Sequence, residues 1–434
     1  MLVQGTVIVD HTTVIDDGAV VVEGNSIAAV GDSTALRRRY PDHDCRRYDL
    51  VAPGLVQAHV HSIQSPGRGR ADGLELADWL GDRILPMEAA LDPMATRAAA
   101  TLGYLECLAS GTTTVVDHPS TEHAETAFRA AADTGIRARL GKVLVDKDGL
   151  DGITESTDKA LAESERLIRQ YHNSQNGRIQ YAVTPRFAVS CSEACLRRTR
   201  DLVDRYEGVR IHTHAAEEPA TIETVREATD SRPIQWLHDV GLTGEDVVLA
   251  HCVHTSDAER ELLAETGTHV CHCPSANMKL GAGTAPVGDY RDRGINVAVG
   301  SDGPPSNDTL DGFTELRQAA LLQRVSRRDP TALSAREVFR MGTRGGARAA
   351  GFDSVGRLAE GWTADVVGLS TDSTRATPRG DPYAHLVFVA RGTDVEFTMV
   401  DGDVRYDAGT HLGIDAAAVK HRVAQIAETL DVEG

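Results

Sequence analysis

Gly54-Leu55-Val56-Gln57-Ala58-His59-Val60-His61 is a short apolar run that closes on two imidazoles. Residues two apart in a strand point to the same side, so His59 and His61 can serve one ion. Seven further segments carry the same texture, and the set runs 54–59, 112–117, 136–145, 178–184, 208–214, 247–251, 268–273 and 295–301. Helical patterns separate them, with apolar residues three and four apart in Asp158–His172 and Ser192–Tyr206. Ser256-x-x-Glu259 reads as a capping box after the sixth segment, and Asn307–Val325 and Ser334–Ala350 follow the eighth. Eight strand–helix units predict an α/β fold, a (β/α)8 TIM barrel, whose chemistry lies at the C-terminal strand ends.

His214 closes strand five and Asp302 closes strand eight. With His59 and His61 they make a set of three imidazoles and one carboxylate. That donor set suits Zn²⁺ or Fe²⁺ and leaves room for a water. Two more ionisable groups stand at matching ends: Glu217, just past His214, and His251, which closes strand six. His212 lies deeper on the His214 face and reads as a core imidazole; His254 reads as a loop residue. His118, His269 and His272 carry no stronger claim.

Residues 1–50 and 355–412 share another texture, short alternating strands with Glu23-Gly24-Asn25 and Asp401-Gly402-Asp403 turns. Both ends of the chain are expected to build one small composite β-sandwich domain beside a barrel over 51–354, with 413–434 as a C-terminal helix or tail. No run of about 18 apolar residues exists, and the N-terminus lacks a signal-like pattern, so a cytoplasmic protein is expected. The net charge is −19, which argues against nucleic acid or an anionic membrane as partner. Only Lys142, Lys147, Lys159, Lys279 and Lys420 are lysines. This acid-rich, Lys-poor composition fits either a halophilic adaptation or an Arg-preferring genome. The seven cysteines are odd in number and scattered, which suits a reducing cytosol, and Cys271-x-Cys273 and Cys191-x-x-x-Cys195 are read as buried, inert thiols rather than metal ligands.

At these residues the chain resembles the amidohydrolase superfamily, in its mononuclear-metal deaminase and triazine-hydrolase branch. The resemblance rests on Pro53 to His61, Asp78-Trp79-Leu80 with Pro86-Met87-Glu88, Gly111-Thr112-Thr113-Thr114, and His214-Ala215-Ala216-Glu217. It continues through Leu249-Ala250-His251-Cys252, His272-Cys273-Pro274-Ser275-Ala276-Asn277, Gly300-Ser301-Asp302-Gly303 and Ala364-Asp365-Val366. It implies that His59, His61, His214 and Asp302 hold one zinc, or alternatively iron, per chain. Glu217 would shuttle protons, His251 would touch the activated water, and Asp302 would accept that water's proton. Strand four ends in Thr184-Pro185-Arg186 without a lysine, which disfavours the two-metal, carbamylated-lysine form.

The resemblance divides over substrate. His61-Ser62-Ile63-Gln64 and Pro185-Arg186-Phe187 are similar to guanine deaminases, where Gln64, Arg186 and Phe187 would hold an oxopurine. Asp302-Gly303-Pro304-Pro305-Ser306-Asn307, Asn277-Met278-Lys279-Leu280 and Arg68-Gly69 with Ala71-Asp72 are similar to deaminases of 5′-modified adenosines. There Glu88 would bind ribose hydroxyls, a role separate from that of Arg186. The favoured expectation is hydrolytic removal of ammonia from an aminopurine nucleoside of the 5′-deoxyadenosine, methylthioadenosine or S-adenosylhomocysteine type. A guanine-type base is the alternative, and triazine chlorohydrolase or N-alkylaminohydrolase chemistry the second. Substrate and water would be the only small partners, in a homo-oligomeric dimer or tetramer.

Overall fold

The computed structural model describes residues 1–147 and 152–430. Eight parallel strands close into a barrel: Leu55–Val60, Thr112–Asp117, Arg137–Leu140, Ile179–Pro185, Arg210–Ala215, Val247–His251, His269–His272 and Val297–Val299. Strand eight pairs with strand one, and strand four with strand five, which completes the ring. Strand three resumes as Val143–Leu144, still beside strand four. These strands fall on the eight apolar segments of the sequence. Parallel strands buried on both faces need such near-continuous apolar runs, and Leu55–Val60 and Thr112–Asp117 are buried throughout.

Helices surround the ring at the expected places. Thr157–Tyr171 is capped by Ser156, Glu193–Val203 by Ser192, and both bonds of the Ser256/Glu259 capping box form ahead of Asp257–Thr266. The helix expected over Asn307–Val325 is two pieces, Pro304–Asn307 and Gly312–Arg327. Asp308 between them has a left-handed backbone (φ 67°), and Asp311 caps the second piece through Phe313 and Thr314. Residues Leu76 to Ala90 form one helical run interrupted by a wider π-type turn over Trp79–Ile84.

The two chain ends interleave in a second, eight-stranded sheet. Cys45–Pro53 runs parallel to Leu2–Ile8 on one side and antiparallel to Val366–Leu369 on the other. Val14–Glu23 and Ser26–Asp32 extend one edge; Val395–Val400, Asp403–Asp407 and Thr410–His411 extend the other. Barrel and sheet are tied by a buried pair. Arg137 on strand three donates from Nε and an Nη to the two carboxylate oxygens of Asp365, at 2.9 and 3.0 Å. Each charge is satisfied by the other, which is the condition under which charges tolerate burial. The helix Ala416–Leu430 packs against Pro93–Ala109, and Arg70 donates to the Ala427 carbonyl near its end at 3.0 Å. The last four residues of the 413–434 segment lie outside the described residues.

Candidate active site

The C-terminal ends of strands one, five and eight bring His59, His61, His214 and Asp302 together. All four are buried, and one donor atom from each lies within 4.8 Å of the others. Asp302 Oδ1 is 3.1 Å from His59 Nε2 and 3.2 Å from His61 Nε2, and His61 Nε2 is 3.2 Å from His214 Nε2.

The backbone here is bent to aim these groups. Asp302 and His251 both adopt left-handed conformations (φ 64° and 69°), uncommon for residues with a Cβ. Hydrogen bonds hold the strand ends: Asp302 N donates to the His59 carbonyl at 3.1 Å, and Cys252 N to the Ala215 carbonyl at 3.0 Å. Gly300 permits the close approach of strands eight and one, since a Cβ there would lie 2.6 Å from the His59 carbonyl oxygen.

Each ligand-type side chain is held at its far end. His61 Nδ1 meets the His118 carbonyl at 2.8 Å, and His214 Nδ1 the Arg186 carbonyl at 2.7 Å. Carbonyls only accept, so both rings carry their proton on Nδ1 and turn the Nε2 lone pair inward. His59 Nδ1 lies 2.9 Å from His212 Nε2, and Asp302 Oδ2 accepts from the Ser306 hydroxyl at 2.7 Å. Two inward lone pairs, the inward-facing His59 Nε2 and one carboxylate oxygen in a buried cluster fit a divalent N/O-binding ion. Burial lowers the His59 imidazole to about 4 and pushes His214 well below its ordinary value, favouring the neutral, ligating form. Burial raises the Asp302 carboxyl, but its contacts with the His59 and His61 imidazoles outweigh it and hold it well below the usual carboxylate range.

Glu217 and His251 stand beside this cluster, with Glu217 Oε1 3.7 Å from His251 Nδ1. Burial raises the Glu217 carboxyl. Burial alone would lower His251, but the neighbouring Glu217, Cys273 and Asp302 and a hydrogen bond to Asn277 lift it to about 9. Asn277 Oδ1 is 2.9 Å from His251 Nδ1, which turns Nε2 away from Asn277. A cavity of about 160 Å³ opens next to Glu217, walled by Leu76, Leu80, Phe187, Val189 and Val225. The Phe187 ring lies 5.2 Å from the His214 ring.

Gln64, Glu88 and Arg186 form one buried network. Arg186 donates to both carboxylate oxygens of Glu88, at 2.6 and 3.2 Å, and Gln64 Nε2 donates to Glu88 Oε1 at 2.7 Å. The sequence assigns Glu88 and Arg186 to rival roles; the fold makes them a single unit. Gly303 makes room for Gln64, whose Oε1 would otherwise lie 1.9 Å from a Cβ.

His212 is a correction to the sequence reading. It is buried, but it is not a satisfied core imidazole: Nε2 faces His59 and Nδ1 has no hydrogen-bond partner among the described residues. Its two-residue spacing from His214 was the available signal. Asn277 and Ser306 lie inside motifs read from the sequence, yet their contacts to His251 and Asp302 were not foreseen. His254 is a loop residue bonded to the Ala282 carbonyl at 2.6 Å. Donor atoms of Asp146, Cys191 and Cys195 also cluster within 4.8 Å. There both carboxylate oxygens already accept from Ser192, and Cys191 donates to the Leu144 carbonyl. Lys142, past strand three, is tied to Glu155 and the Thr121 carbonyl.

A closed parallel barrel with its polar cluster at the C-terminal mouth defines an enzyme of the hydrolytic barrel class. Residues 50–405 match the amidohydrolase family, and the chain belongs to it. Residues 18–42 also match an imidazolonepropionase-like composite domain of bacteria. A 5-methylthioadenosine/S-adenosylhomocysteine deaminase of Halobacterium salinarum is 39% identical over 93% of this chain and 91% of its own. A 5′-deoxyadenosine deaminase of Methanothermobacter thermautotrophicus is 39% identical over 82% and 81%. Among solved structures, a zinc-bound adenosine deaminase of Xanthomonas campestris superposes with a TM-score of 0.93 at 30% identity, covering 99% and 98% of the two chains. E. coli guanine deaminase gives 0.87 at 27% over 94% and 99%. A zinc-complexed atrazine chlorohydrolase of Arthrobacter aurescens gives 0.91 at 26% over 98% and 99%.

Proposed function

We propose that this chain is a metal-dependent hydrolytic deaminase that releases ammonia from adenosine-type nucleosides altered at the 5′ position. The observation that carries the reading is the likeness at 39% identity, over most of both chains, to deaminases of such nucleosides. The buried Glu217–His251 pair beside three imidazoles and Asp302 supplies the chemistry it needs.

His59, His61, His214 and Asp302 would hold the ion, zinc by the likeness to the zinc-bound neighbours and iron as the alternative. Bound there, it would acidify water toward neutral pH, the usual service of such an ion. Asp302, ionised, accepts a proton at Oδ1 and aims the attacking oxygen. Glu217, its carboxyl raised by burial, keeps a proton to donate to the ring nitrogen next to the attacked carbon. His251, 3.7 Å from Glu217, is placed to hydrogen-bond the attacking oxygen as negative charge develops on it. Return of the proton to the exocyclic nitrogen expels ammonia.

Gln64, Glu88, Arg186 and Phe187 are assigned to substrate. The oxopurine alternative draws on Gln64, Arg186 and Phe187 lying together, but two Arg186 nitrogens are committed to Glu88, leaving Nε as its buried unpartnered donor. The same pairing occupies both oxygens of Glu88, so the preference for a nucleoside rests on the likeness to deaminases of 5′-modified adenosines. No helix among the described residues is long and apolar enough to cross a membrane. We take the enzyme to work in the cytoplasm as a homo-oligomer, and the boundaries 1–50, 51–354, 355–412 and 413–434 to mark its units. The test is ammonia release from 5′-deoxyadenosine, methylthioadenosine, S-adenosylhomocysteine, guanine and a chlorotriazine. The highest kcat/KM is expected on a 5′-modified adenosine; a higher value on guanine or chloride release from the triazine would overturn the reading.

A further inference from the structure

We infer that His212 is a positioning residue that sets the metal affinity of the site by holding the proton of His59 on Nδ1. The inference rests on the assignment of His59 as a ligand.

The three imidazoles of the cluster are anchored unequally. His61 and His214 point Nδ1 at backbone carbonyls, at 2.8 and 2.7 Å. A carbonyl has no proton to give, so those two rings are fixed with Nε2 bare. His59 has no carbonyl. Its Nδ1 meets His212 Nε2 at 2.9 Å, in a contact wholly buried on both sides. An imidazole nitrogen can donate or accept, so this contact alone leaves the tautomer of His59 open.

Two arrangements satisfy the geometry. In one, His212 Nε2–H donates to His59 Nδ1, and His59 Nε2–H donates to Asp302 Oδ1, 3.1 Å away. In the other, His59 Nδ1–H donates to His212 Nε2, and the proton of His212 lies on its own Nδ1. Only the second bares His59 Nε2 for an ion. Both rings stay neutral throughout; each moves its one proton between its two nitrogens.

The pocket around His212 is built to make the second arrangement reachable. His212 Nδ1 has no hydrogen-bond partner among the described residues, so it is left unpaired in both arrangements, as an N–H in one and a lone pair in the other, and does not tie the ring to the first. The ring centroids of His212 and His59 lie 4.9 Å apart, nearly perpendicular, and the ring of His118 stands 5.5 Å from His212. Among the described residues, His212 Nε2 is the one hydrogen-bond partner of His59 Nδ1. A side chain at 212 that cannot accept would leave the Nδ1–H of His59 buried and unpaired, which disfavours the ligating tautomer.

The test compares His212→Leu, which removes the acceptor, with His212→Gln, whose carbonyl oxygen restores one. Zinc affinity is read by chelator competition, with thermal unfolding of each metal-free protein as a check on folding. His212→Leu should bind zinc about ten- to a hundredfold more weakly, and His212→Gln should recover most of that loss. The cobalt-substituted proteins should show a shifted visible spectrum for Leu and a near-wild-type one for Gln. Wild-type affinity in the Leu variant, or equal losses in both, would overturn the inference. Should the Leu variant not fold, nitrogen-15 imidazole NMR of the zinc-loaded wild type decides it. His212 protonated on Nδ1 supports the inference, and His212 protonated on Nε2 overturns it. A wild-type protein that takes up no zinc would instead sink the assignment of His59 as a ligand.

Discussion

Glu88 and Arg186, 98 residues apart in sequence, meet as a buried two-point ion pair at 2.6 and 3.2 Å. Gln64 adds a third donor on Glu88 Oε1. Strand four delivers Arg186, and its carbonyl also anchors His214. The helical run over Leu76–Ala90 delivers Glu88. The pair therefore fastens the helical run over Leu76–Ala90 to the strand end whose carbonyl anchors His214 of the candidate metal cluster.

Removing either partner should hurt. Glu88→Ala strands a buried guanidinium and Arg186→Ala strands a buried carboxylate, each expected to cost about 3–5 kcal/mol. Both should raise KM for the nucleoside about tenfold or more. The double variant should be no worse than the worse single one, because the second change removes the charge the first leaves unpaired. Urea unfolding and steady-state kinetics on all three check this. Additive losses would mean that the two side chains act separately, as the sequence alone suggests.

Glu217 should be separable from the metal cluster. Glu217→Gln keeps shape and hydrogen bonding but cannot give up a proton, so turnover should fall by at least about 10²–10⁴-fold with metal content unchanged. His214→Ala should lose the metal as well. A metal-free Glu217→Gln protein would place Glu217 among the ligands.

The barrel was legible because its signals are local. Eight apolar runs bounded by helical patterns announce eight buried parallel strands; His59, His214 and His251 close theirs, and His61 and Asp302 stand just past theirs. The Glu88–Arg186 pair has no local signal; nothing near either residue points to the other. His212 was legible by spacing but misread, since burial was taken to mean satisfaction. The break at Asp308 and the wider turn over Trp79–Ile84 were hidden for a related reason. Asp311 caps a helix that apolar spacing alone would begin earlier, and a π-type turn shifts that spacing without a mark of its own.

Glu315 offers a prediction in pH. It is buried beneath the ends of strands seven and eight, where Ser275 N and Asn307 Nδ2 donate to it. Burial lifts its carboxyl from 4.5 to about 7. A carboxyl raised in the folded state gives stability that is full below its unfolded value and is lost as pH rises through the folded one. Stability should thus decline between about pH 4.5 and 7 by up to roughly 3 kcal/mol from this group, at ~1.4 kcal/mol per unit. Glu315→Gln should flatten that part of the profile, read as the thermal midpoint across pH 5 to 7.5. An identical slope in wild type and variant would show that Glu315 ionises as freely folded as unfolded.

Salt tests the composition. A net charge of −19 means that surface carboxylates repel one another in dilute buffer, and molar salt cuts the Debye length to ~3 Å. Screening also weakens attraction, and this surface carries many exposed Arg–carboxylate pairs, such as Arg97–Asp133 and Arg197–Glu193. Exposed pairs of that kind are each worth about 0–1 kcal/mol and lose only part of it on screening. The unpaired excess of acid has no such offset, so relief of repulsion should win. The buried pairs Arg137–Asp365 and Arg186–Glu88 are shielded from added ions and should hold at any ionic strength. If the composition is a halophilic adaptation, the thermal midpoint should therefore rise in molar KCl over dilute buffer. A midpoint that stays level or falls would leave Arg-preferring codon usage as the reason for so few lysines.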